Sequence, residues 1–160
     1  MIGTTKRRRH TGRRSTSSQE RFRWQFELIL EGARRAERPF SMTQFTCRSA
    51  REAEDLLQLC LESTRVCDAV GIERTNVIVV WDSTATAPAT RAARRLLTNF
   101  SGVVEAECKV STVGFPNAGY TPAALIRSLV LAPADPPLDD SIGHNKSTSI
   151  TRRSDDRLAG

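Results

Sequence analysis

The sequence predicts a small α+β or α/β domain: a mixed β-sheet packed with helices as a two-layer sandwich, between a basic arm and a polar tail. Three observations carry this. An apolar-striped stretch after Ser49 reads as a helix, the unbroken apolar run "NVIVVWD" reads as a central strand, and stretches of period-two alternation flank both. At 160 residues, 39% hydrophobic and 6% aromatic, the chain supports one domain. The boundaries read as an arm over 1–21, a folded domain over 22–132 and a tail over 133–160.

Residues 1–21 hold almost no apolar side chain beyond Met1 and Ile2, a composition that predicts disorder. In "RFRWQFELILE", Phe22, Trp24, Phe26, Leu28 and Leu30 alternate with Arg23, Gln25, Glu27 and Glu31; only Ile29 breaks the pattern, which predicts a half-buried strand. "GARRAERP" reads as a loop and "FSMTQFTC" as a second strand, hairpin partner to the first. Ser49 and Glu52 stand at capping-box spacing. Ala53, Leu56, Leu57, Cys60, Thr64 and Cys67 follow at helical spacing and Gly71 offers a C-cap, so a helix is expected over 50–70.

After "NVIVVWD", the segment "TAPATRAARRLLTNFSG" puts Pro88 near a helix start and Ala89, Ala92, Ala93, Leu96, Leu97 and Phe100 on one side, with Gly102 as a stop. "VVEAECKVST" alternates again, Val104, Ala106, Cys108 and Val110 inward and Glu105, Glu107 and Lys109 outward. Past the turn-rich "GFPNAGY", Thr121 and Pro122 open "AALIRSLVL"; a helix is favoured, with a strand over its last half as the alternative. The Pro-rich, apolar-poor stretch from Pro133 predicts a disordered tail. The resulting order is β-β-α-β-α-β-(α or β). Its strand–helix–strand units imply parallel pairing around Val77 to Trp81.

Charge is the main functional signal. The arm and its flank carry Lys6, Arg7, Arg8, Arg9, Arg13, Arg14, Arg21 and Arg23 against one acid, Glu20, while the whole chain has net charge +6. From Trp24 onward basic and acidic groups nearly balance, so the charge belongs to the arm. Guanidinium forks match phosphate oxygens, which points to RNA or DNA bound without sequence preference. Arg91, Arg94 and Arg95, an i, i+3, i+4 set on the second helix, read as a supporting patch or a solvated face.

The expected function is therefore a non-enzymatic nucleic-acid-binding protein that packages or scaffolds, laid out like a small viral coat or nucleocapsid protein. It would self-associate through exposed strand edges and work inside the cell (nucleus or cytoplasm) or in a virion. No run of 18 apolar residues exists, and no membrane partner is expected.

The enzymatic alternative centres on Asp82, a carboxylate at the end of a central strand ahead of Ser/Thr-rich residues. With Glu105 and Glu107 it would give a Mg²⁺-dependent nuclease or phosphoryl-transfer enzyme. The balance falls against an enzyme: there is no Gly-rich phosphate loop, and His10 and His144 both lie in the tails. No metal site or cofactor is expected, because Cys47, Cys60, Cys67 and Cys108 form no C-x-x-C pair. A further alternative is a protein–protein adaptor whose arm is only a targeting signal.

Overall fold

The computed structural model describes residues 18–101 and 107–135. Its elements are α1 (Ser18–Ala36), β1 (Phe40–Thr46), α2 (Ala50–Ser63), β2 (Ala69–Glu73), β3 (Asn76–Trp81), α3 (Thr86–Ser101), β4 (Lys109–Phe115) and α4 (Pro122–Leu131). The small α+β domain expected from sequence is what forms: among the described residues, one four-stranded sheet in the order β2-β3-β1-β4, with four helices.

Every neighbouring pair of strands is antiparallel. The parallel pair expected at Val77–Trp81 is absent for a topological reason. In β1–α2–β2 and in β3–α3–β4 the two strands do run parallel, but each crossover skips one place. β3 fills the first gap and β1 the second, so each strand meets only opposite neighbours. β1 and β3 are central and β2 and β4 are edges.

The first expected strand is a helix. In α1 the buried side chains are Phe26, Ile29, Leu30 and Ala33, spaced i, i+3, i+4, i+7. Ile29, the residue that broke the alternation, belongs to this stripe, whereas Trp24 and Leu28 face solvent at 63% and 51% exposure. Ser18–Arg21, assigned to the arm, form the first turn of α1; residues 1–17 and 136–160, and with them Lys6 to Arg14, lie outside the described residues.

The second helix stops earlier than expected. Thr64 closes α2, its backbone N–H and its hydroxyl both donating to Cys60 O. Thr64 and Val66 are β-branched and poor at extending a helix. Gly71 is consequently not a C-cap but the middle of β2, a strand whose burial alternates residue by residue. Segment 122–131 is the helix α4, its N-cap Thr121 accepting from Ala124 N.

Because α1 is a helix, there are three layers and not two. Phe45, Val77, Val79, Trp81 and Val110 face α2 and α3, whereas Phe40, Met42, Ile78, Val80 and Phe115 face α1 and α4. β3 is thus buried on both faces, as its unbroken apolar run predicts. Ser41 and Thr43 are fully buried within this sheet. Thr43 is satisfied by its neighbours: Trp81 Nε1–H donates to Thr43 Oγ1 at 2.9 Å, and Thr43 and Thr112 hydroxyls meet at 3.1 Å. Thr112 in turn donates to Asp135 Oδ2 at 3.1 Å.

Candidate functional site

Four connections converge at one end of the sheet: α1 to β1, α2 to β2, β3 to α3 and β4 to α4. They meet there because β1 and β2 begin, and β3 and β4 finish, at this end. Backbone left-handed conformations at Glu37 (φ 51°) and Ser83 (φ 51°) turn two of the loops sharply.

Asp68 ties two of them together, α2 to β2 and β3 to α3. Its carboxylate is buried at 6% exposure and accepts the N–H of Arg65 (3.0 Å) and of Asp82 (3.0 Å), one on each oxygen. Burial raises its pKa above the ordinary carboxylate value; the two backbone donors oppose this. Gln25 of α1 donates to Val66 O and Asp68 O, pinning the helix to the same loop. Ser83 Oγ donates to Asp82 Oδ1, Arg38 Nη1 to Ser83 Oγ at 2.9 Å, and Ser41 Oγ to Thr84 O at 2.8 Å.

Two clefts open beside this hub and share Arg38. One, of about 290 Å³, is lined by Trp24, Gln25, Leu28, Ile29, Cys67 and Asp82 as well as Arg38. The other, of about 520 Å³, lies among Arg34, Glu37, Arg38, Phe115, Pro116 and Tyr120. Arg34 donates to the Tyr120 carbonyl, and the Tyr120 ring packs edge-on against Phe115 with centroids 5.4 Å apart. The chemistry on offer is two guanidiniums and exposed aromatic faces (Trp24, Tyr120) beside one half-buried carboxylate, Asp82. That set suits a planar, anionic ligand. Of the two aspartates, Asp82 is the one able to meet a cation, since both oxygens of Asp68 already accept backbone N–H groups. Among the described residues no three His, Cys, Asp or Glu side chains stand close enough to hold a metal ion.

The structure separates the candidates that the sequence grouped. Asp82 directly follows β3, whereas Glu107 precedes β4 at the opposite end of the sheet, roughly 20 Å of strand away. Glu105 falls outside the described residues. Arg91, Arg94 and Arg95 lie on α3, whose buried stripe is Ala89, Ala93, Leu96 and Phe100, with Arg91 and Arg95 exposed on the outer side. Arg21 and Arg23 are exposed on α1. Sequence reasoning missed Arg34, Arg38, Asp68 and Tyr120, all assigned to loops or to an overlong helix. The one available signal was the spacing of Arg34 and Arg38, i and i+4, past an apolar stripe.

The fold is shared with two solved structures. The chain is similar to a DGC protein from Thermotoga maritima (17% identity, TM-score 0.60), over 72% of this chain and 93% of that one. It is also similar to a sensory box/GGDEF family protein from Caulobacter crescentus (13% identity, TM-score 0.53), over 69% of this chain and 86% of that one. No protein-family model matches the chain, and no curated protein matches its sequence.

These likenesses correct the functional expectation. The neighbours are DGC and GGDEF domains, not coat, nucleocapsid or nucleic-acid-binding proteins, so the non-enzymatic packaging role and the balance against an enzyme are both withdrawn. An arginine-rich arm reports charge alone and could not reveal the fold it is attached to. The run Gly-Gly-Asp-Glu-Phe, spelled by the second family's name, does not occur here, nor do any two adjacent glycines. Functional residues must therefore come from the geometry of this chain.

Proposed function

We propose that this protein is a guanine-nucleotide signalling domain of the diguanylate-cyclase-like fold, with its nucleotide at the loop end of the sheet. The observation that supports this reading best is the likeness to the DGC protein, which spans nearly the whole of that chain. The site chemistry agrees with it. Arg34 and Arg38 face phosphates, the exposed ring of Tyr120 or Trp24 stacks on the base, and Asp82 meets the divalent cation that accompanies a nucleoside triphosphate.

The test is calorimetric titration of the full chain with GTP, GDP and ATP in Mg²⁺, with GTP incubations resolved by anion exchange to detect turnover. Saturable GTP binding, weakened about tenfold or more by Arg38→Ala, is expected. Absence of guanine-nucleotide binding at millimolar concentration, or binding indifferent to both Arg34→Ala and Arg38→Ala, overturns the reading.

A further inference from the structure

At the other end of the sheet the fold brings two cysteines face to face. The last pair of the β1–β4 ladder is Thr46 with Lys109, so one step further Cys47 stands opposite Cys108. Both side chains belong to the core layer under α2 and α3, and their sulfurs are 3.2 Å apart. Directly opposed residues of an antiparallel pair have Cα atoms about 4.5–5.5 Å apart, inside the range a disulfide accepts. Joining the sulfurs thus requires only about an ångström of side-chain closure.

The two thiols are not equivalent. Cys47 is buried at 5% exposure, while Cys108 is half-buried and open on its solvent side. The hydrogen bond from the Cys47 thiol stabilises a thiolate on Cys108 and lowers its pKa, with Arg48 nearby adding to the effect. Cys47, holding the shared proton under burial, is pushed up. Cys60, buried beneath them, is pushed up to about 12 by desolvation and is inert at neutral pH. Cys67 is exposed at the opposite end of the domain, in the cleft beside Asp82.

We propose that Cys47 and Cys108 form an oxidisable dithiol whose co-reactant is a low-molecular-weight disulfide of the glutathione class, and that its oxidised form is a cross-strand disulfide locking β1 to β4. The Cys108 thiolate attacks one sulfur of the small disulfide, forming a mixed disulfide and expelling one small thiolate. Cys47 then loses its proton and attacks Cys108 Sγ, closing the protein disulfide and expelling the second small thiolate. The protein pair is oxidised by two electrons and the small disulfide is reduced to two thiols; of their two protons, one comes from Cys47 and the other is the one Cys108 released to solvent on ionising. The lock would bear on the β2–β3 hairpin, because Cys47 N–H donates to Thr75 O in its turn at 2.9 Å. Nothing in this inference depends on which nucleotide the loop end takes.

The experiment equilibrates the folded full chain in buffers of graded glutathione to glutathione disulfide ratio, traps thiols by alkylation, and maps the digested peptides by mass. The expected product is one peptide pair linked through Cys47 and Cys108, lighter by two hydrogens, with Cys60 in neither a link nor a mixed disulfide. Cys47→Ser should strand the reaction, leaving Cys108 carrying glutathione, and Cys108→Ser should prevent modification of Cys47. Two results overturn the proposal: the link forming only in denaturant, or both thiols of the folded wild type staying free in excess glutathione disulfide. The wild-type map decides the matter even if a serine variant fails to fold.

Discussion

Replacing Gly71 with alanine tests the docking of α1 directly. A Cβ at this position would lie 2.5 Å from Cγ of Phe22 and 2.8 Å from both Cδ atoms, so the ring of α1 lies flat on the bare backbone of β2. Carbon contacts settle near 3.5–4.0 Å, so the ring must retreat by about 1 Å. Overpacking of that kind costs about 1–3 kcal/mol. Alanine in a strand is itself better than glycine by about 0.5–1 kcal/mol, leaving a net loss of about 1–2 kcal/mol. Removing the ring should reverse the sign. In a Phe22→Ala background, Gly71→Ala has nothing to strike and should stabilise by about 0.5–1 kcal/mol. Phe22→Ala alone should cost about 2 kcal/mol, since the ring is only partly buried while stacking on Phe26. Urea unfolding of the four proteins measures the cycle, whose coupling should reach about 1.5–3 kcal/mol. Equal effects of Gly71→Ala in the two backgrounds would refute the contact and, with it, the placement of the first turns of α1.

Other expectations follow from the buried polar groups and the thiols. Thr43→Val keeps volume but strips the acceptor from Trp81 Nε1, which should cost about 1–3 kcal/mol and shift the tryptophan emission. Gln25→Ala releases two carbonyls, of Val66 and Asp68, and should loosen α1, read as faster amide exchange in that helix with little change in β3. For Asp68 the folded pKa is raised, so the proton is held more tightly folded than unfolded. The stability this gives is complete below the ordinary value of 3.8 and is lost as pH rises towards the raised one. The stability advantage of wild type over Asp68→Asn should accordingly shrink as pH is raised from about 4; a gap widening with pH would contradict the burial argument. Closing the Cys47–Cys108 disulfide links positions 61 residues apart and should stabilise by about 4 kcal/mol, seen as a higher Tm that a reductant abolishes.

The sequence alone determined the elements whose patterns have a single reading. The helix after Ser49 began where expected because Ser49 Oγ accepts the Glu52 N–H, although the Glu52 carboxylate turned to Arg48 instead of closing the box. β3 announced its burial on both faces through an unbroken apolar run, and α3 its inner side through Ala89, Ala93, Leu96 and Phe100. Where two periods fitted, tertiary packing decided. Phe22 to Leu30 satisfies both a period of two and, with Ile29, a period of 3.6, and only the sheet face presented by Phe40, Met42, Ala69, Ile78 and Val80 selects the helix. Strand order was equally hidden, since a crossover that skips a place leaves no local mark in the residues it connects. The candidate site depends wholly on that order. Arg38, Asp68, Asp82 and Tyr120 come from four separate connections, and Cys47 and Cys108 from two more. Their side chains meet because antiparallel pairing brings those connections to common ends of one sheet, a long-range consequence that no local spacing encodes.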